Sequence, residues 1–167
     1  LFSSAHLRYG YNYTCNRGPN AVPEDEWRST SKLCPIECVP FRGAPCSDAA
    51  GGEVNFASIA GILRGDNPDF SVVGGTATYF DNVMKAPFFN FVRRDGRGST
   101  YQMWYDSPAS LKAKVQACRA VVDAYPGLGG NGRALAGFGV WHLDALAYVN
   151  ATAAERKDTQ GMYAAFD

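Results

Sequence analysis

The stretch from residue 107 to 166 most narrows what this chain can fold into. "SPASLKAKVQACRAVVDAYPG" (107–127) sets Leu111, Val115, Cys118, Val122 and Tyr125 at steps of three or four, the spacing of one buried helical face. Ser107 is a capping residue, Pro108 suits the first helical position, and Pro126-Gly127 ends the run. "RALAGFGVW" (133–141) is apolar throughout, as a strand covered on both faces of a parallel sheet must be. "TAAERKDTQGMYAAF" then opens on a capping box, Thr152 with Glu155, and predicts a closing helix. Helix, buried strand, helix is an α/β rhythm.

The preceding residues read differently. "AHLRYGYNYTC" suggests a short strand and its exit loop. Residues 16–52 are turn-rich, with Pro19, Pro23, Pro35, Pro40 and Pro45. "NFASIAGILRG" (55–65) predicts a helix with Asn55 as N-cap, Phe56, Ile59 and Leu63 on one face, and Gly65 at its end. "TATYFDNV", "APFFNFV" and "TYQMWYD" are strand-like, and Asp95-Gly96 is a hairpin signal of the type I′ kind. This middle part is expected to be a small α+β unit.

Four of the five cysteines, Cys15, Cys34, Cys38 and Cys46, fall in the loop-rich part, and Cys118 lies alone on the helix. "CPIEC" has metal-ligand spacing, but no second pair accompanies it and neither His6 nor His142 is close in sequence. Disulfides are therefore favoured over a metal, which implies an oxidising compartment. No cofactor is expected. Two glycosylation sequons, at Asn12 and Asn150, agree with that compartment. An odd cysteine count leaves at least one thiol free or paired outside the chain.

Charge excludes several classes. Sixteen basic residues balance sixteen acidic ones, and the densest basic cluster, "RRDGR" (93–97), sits on a turn signal and reads as a solvated loop. Nucleic acid is not an expected partner. No run approaches the roughly 18 apolar residues of a membrane span, so a membrane is not expected either. "GLGGNG" (127–132) matches a dinucleotide fingerprint by letter but follows a helix and precedes a strand, the reverse of the order needed. There is no G-x-S-x-G elbow. Glu24, Glu26, Glu37, Glu53 and Glu155 all lie in turns, beside cysteines or at helix starts, and none closes an apolar strand.

Trp141 ends the apolar strand, and ligands of parallel α/β sheets sit at the carboxyl ends of strands. Its indole is either one more core side chain or a platform for a pyranose face. Asp144 follows three residues on, as a site residue or a loop hydrogen-bonder.

"YGYNYTC" (9–15), "VPFRGAPCSDAAG" (39–51), "APFFNF" (86–91), "WYDSPASLKAK" (104–114) and "GFGVW" (137–141) together resemble the C-terminal part of a glycoside hydrolase family 18 enzyme. The resemblance implies the C-terminal portion of a (β/α)8 TIM barrel, strands 7 and 8 with their helices, carrying a small α+β insertion. Residues 1–15 would be barrel strand 7 and its exit loop, and 16–105 the cysteine-containing insertion. Residues 106–167 would hold helix 7, strand 8 and helix 8. It also implies retaining, substrate-assisted hydrolysis of β-1,4 bonds in N-acetylglucosamine oligosaccharides, in which the substrate's acetamide attacks the anomeric carbon. Trp141 would be the floor of a sugar subsite, with Tyr9, Arg42 and Asp144 as further substrate-binding candidates.

The family's D-x-x-D-x-D-x-E motif does not occur here, so no catalytic residue is assigned and the chain by itself is expected to be inactive. Its expected partners are N-acetylglucosamine oligosaccharides and the N-terminal half of the barrel. Without that half, residues 1–167 are expected to fold poorly. The expected location is lysosomal or extracellular. Two other readings stay open: a non-catalytic chitin-oligosaccharide-binding module, and a truncated gene product without activity.

Overall fold

The computed structural model describes residues 9–15, 34, 38–49, 51–74, 78–95, 100–124, 146 and 149–166. Cysteines 15 and 34 each sit within this set, whereas the expected strand 134–141 lies outside it. The described chain mixes helix and strand. Its strands are β1 (Tyr9–Thr14), β2 (Cys38–Phe41), β3 (Ala44–Ala49), β4 (Gly51–Asn55), β5 (Phe70–Val72), β6 (Tyr79–Asp81), β7 (Ala86–Arg93) and β8 (Thr100–Trp104). Its helices are α1 (Phe56–Arg64), α2 (Pro108–Ala124) and α3 (Ala153–Ala164).

Six strands form one sheet in the order β4-β1-β8-β7-β5, with β6 also paired to β7. All of its pairings are antiparallel. Tyr9–Thr14 is hydrogen-bonded between β4 and β8. The expected boundary at residue 15 thus runs through a single sheet, and β1 has antiparallel neighbours where a barrel strand has parallel ones. β2 and β3 make a separate two-stranded hairpin. Its turn, Arg42-Gly43, has φ of 48° and 84°, the left-handed pair that a tight hairpin turn requires. Pro40 and Pro45 fit there because each strand of a two-strand ribbon has a free edge.

The β7–β8 hairpin forms where "FFNFV" and "TYQMW" predict it, while the expected Asp95-Gly96 turn runs into residues 96–99, outside the described residues. Val92 and Thr100 are the last paired positions before that turn. Arg94 is also more than a solvated charge. Its guanidinium donates to the carbonyls of Gly65, Asn67 and Phe70, tying the α1–β5 connection to β7.

Helix α1 starts at Asn55 as expected, although the Asn55 side chain makes no capping hydrogen bond. Gly65 closes it in the left-handed conformation at φ 80°, with its N–H returned to the last turn. Helix α2 starts on a reciprocal pair: Ser107 Oγ accepts from the Ser110 N–H, and Ser110 Oγ accepts from the Ser107 N–H. Leu111 and Val115 are buried, but the same face is half exposed by Cys118 and Val122. Helix α3 carries the full Thr152–Glu155 capping box. Gly161 allows it to press on the start of α2, since a Cβ there would come 3.2 Å from Pro108 Cγ.

One apolar core joins these parts. Phe56, Ile59 and Ile62 of α1 meet Phe89 and Phe91 of β7, Met103 of β8, Leu111 of α2, Leu146, and Met162 of α3. Arg64 bridges to Asp66 and to Asp158, each at 2.8 Å, linking α1 to α3 at the surface. Its guanidinium is held above its ordinary pKa, first by the Asp66 hydrogen bond and then by the Asp158 charge, against a desolvation cost.

Candidate functional site

Side chains at directly paired positions of an antiparallel sheet share a face. Alternation along β7 and β8 therefore divides the sheet. Phe89, Phe91 and Met103 enter the core beneath α1. The other face carries Tyr11, Trp104, Phe88 and Tyr79 as one rung across four strands, because Tyr11 pairs with Trp104, Trp104 with Phe88, and Phe88 with Tyr79. Phe88 and Trp104 stack with centroids 4.6 Å apart, and Tyr79 lies 5.6 Å from Phe88. The next rung holds Tyr13, Gln102 and Asn90.

These rungs are joined by hydrogen bonds. The Trp104 indole donates to Gln102 Oε1 at 2.9 Å, and Gln102 Nε2 donates to Asn90 Oδ1 at 2.9 Å. Gln102 and Asn90 are 1% and 2% exposed, while Trp104, Tyr11, Tyr13 and Tyr79 are half-buried. The orientation of the Trp104 ring is thus set from inside the sheet. The uncharged amides are buried and bonded to one another and to the Trp104 indole, so they hold this aromatic face in place from within the sheet. Alternation in "FFNF" and "TYQMW" carried this signal, since Asn90 and Gln102 interrupt otherwise apolar strands.

Ionisable groups near the sheet serve the scaffold. Asp106, buried at the β8–α2 junction, accepts from Lys114 Nζ at 2.6 Å and from Ser110 Oγ at 2.8 Å. Burial pushes the Tyr105 phenol up to about 12. Among the described residues no His, Cys, Asp and Glu cluster could hold a metal ion. Among them, too, no helix is long and apolar enough to cross a membrane.

The candidates read from sequence are placed unevenly. Trp141 and Asp144 lie outside the described residues. Tyr9 begins β1, paired with Asn55. Arg42 stands at the exposed tip of the β2–β3 hairpin, with its guanidinium 5.1 Å from the centre of the Phe41 ring. Tyr9 and Arg42 belong to different sheets. Cys15 and Cys34 form a disulfide, and Cys118 is a free thiol. Cys38 and Cys46 are strand positions in β2 and β3.

The described chain is thus a mixed α/β polypeptide whose sheet carries an aromatic face ordered by two buried amides. Its sequence is similar to that of the di-N-acetylchitobiases along nearly its whole length. It is 35% identical to the mouse protein over 157 residues, covering 94% of this chain and 34% of that protein. It is 32% identical to the human protein over 155 residues, 93% of this chain and 32% of the other. A probable di-N-acetylchitobiase 2 of Dictyostelium discoideum is 31% identical over 140 residues, 84% of this chain and 30% of that one. The chain spans about a third of the length of these curated relatives. No family model and no solved structure matches it.

Proposed function

We propose that these residues form the C-terminal part of a chitobiase-like glycosidase that acts on N-acetylglucosamine oligosaccharides. The observation that carries this reading is the identity of 31–35% to three di-N-acetylchitobiases, spread over most of the chain. Residues 107–124 and 134–141 are then helix 7 and strand 8 of a (β/α)8 barrel, with helix 8 behind them. Trp141 is the floor of the sugar subsite next to the scissile bond, and Tyr9, Arg42 and Asp144 line it. Arg42 is suited to that part, because a left-handed, ring-supported turn residue presents its charge in one place.

In this reading hydrolysis is substrate-assisted and retaining. The acetamide oxygen attacks the anomeric carbon as the glycosidic C–O bond breaks, and an acid outside these 167 residues protonates the leaving oxygen. Water then opens the cyclic intermediate from the face the leaving group left. The Cys15–Cys34 disulfide supports a lysosomal or extracellular location.

Trp141→Ala in the protein expressed from its native reading frame tests the assignment. Loss of a stacking face should raise KM for chitobiose-type substrates about tenfold or more, since about 1.4 kcal/mol is one decade. Unchanged KM and kcat would place Trp141 in the core instead. Oligosaccharide binding that depends on Trp141, without turnover, would favour the binding-module reading.

A further inference from the structure

The two sequons stand in very different places. Asn12 is in the middle of β1, paired across to Gly52 on one side and Met103 on the other. Paired strands therefore flank that position on both sides. Asn150 is exposed, in the turn before α3, with φ 54°. Asparagine tolerates that left-handed conformation better than other side chains. The turn is firmly built: Thr152 Oγ1 and Glu155 complete the capping box, and Arg156 donates to the Ala151 carbonyl. Beside it Val149 is 84% exposed.

We propose that Asn150, and not Asn12, carries an N-linked oligosaccharide in the folded protein, and that the glycan shields the Val149–Asn150 turn. The donor class is a lipid-pyrophosphate-linked oligosaccharide. The Asn150 amide nitrogen forms the bond to the sugar's anomeric carbon, the anomeric C–O bond to the pyrophosphate breaks, and the lipid pyrophosphate leaves with that electron pair. The amide gives up one proton to a base, so no oxidant or reductant is needed. Once the glycan is on Nδ2, the Thr152 hydroxyl is free to cap α3, so modification and helix start do not compete.

The test is peptide mapping of the protein secreted from a eukaryotic host in its native reading frame. Amidase release of an N-glycan converts the bearing Asn to Asp. Conversion at residue 150 with residue 12 intact is the expected result. Conversion at residue 12 alone, at both, or at neither overturns the proposal. Asn150→Asp keeps a residue that tolerates the left-handed turn and should lose one glycan in electrophoretic mobility. Thr152→Ser retains both cap and sequon and should keep it. An Asn150→Asp protein that migrates like the parent would overturn the assignment without any question of folding.

Discussion

Gln102 shows how much a single side chain carries here. It is 1% exposed and spans from the Trp104 indole to the Asn90 side-chain carbonyl, bonding both. Gln102→Leu has nearly the same size but can neither accept nor donate. It should cost about 1–3 kcal/mol for each buried group left without that partner. Replacing Asn90 as well should recover part of the loss, because two apolar groups facing each other strand nothing between them. Denaturant titration followed by tryptophan fluorescence reads both changes. A single variant within about 0.5 kcal/mol of the parent would show that solvent or other groups satisfy the indole. Two amides among apolar residues were visible in the sequence. Their bonding to one another was not, because it depends on cross-strand register and not on spacing along the chain.

Elements were legible where their signals are local. The α3 capping box follows from Thr152 and Glu155 three residues apart, and the end of α1 from Gly65, whose φ of 80° suits a residue without Cβ. The capping box also makes α3 sensitive to acid. The Thr152 N–H, then its hydroxyl, hold the Glu155 carboxyl below its ordinary 4.5. A depressed carboxylate adds stability that is present above the unfolded value and is lost as pH falls through the folded one. α3 should therefore loosen on acidification below about pH 5, and Glu155→Gln should flatten that dependence. Amide exchange of α3 against pH measures it, and an unchanged slope in the variant would contradict the cap's role. Nonlocal features were missed. The Arg42-Gly43 hairpin hid among prolines that usually mark loops. Which β8 residue each β7 residue faces is likewise set by register, which no local signal records.

At the scale of the whole molecule, the sequence reading sets a boundary at residue 105, between a strand-rich part and a helical part. It is not a division of the core. Phe89 and Met103 from the sheet, Leu111 from α2 and Met162 from α3 share one buried cluster, and Asp106 and Lys114 lock the junction itself. Periodicity found the face that Leu111 and Val115 bury, but not that burial fades at Cys118 and Val122, nor what covers it, since a helical face looks the same whether it covers a sheet or another helix. A shared core implies shared opening. Met162→Ala should cost about 2–5 kcal/mol, as deletion of a fully buried side chain does. That loss should appear in the amide protection of β7 and β8 as well as in α3, because the sheet loses the same neighbour. Phe89→Ala should act in reverse, lowering protection in α3 from a site on the sheet. If either substitution left the other element's exchange unchanged, the two parts would be separate cooperative units meeting at a face. The single core argues for one unit, in which damage to the last helix reaches the strands that hold Trp104.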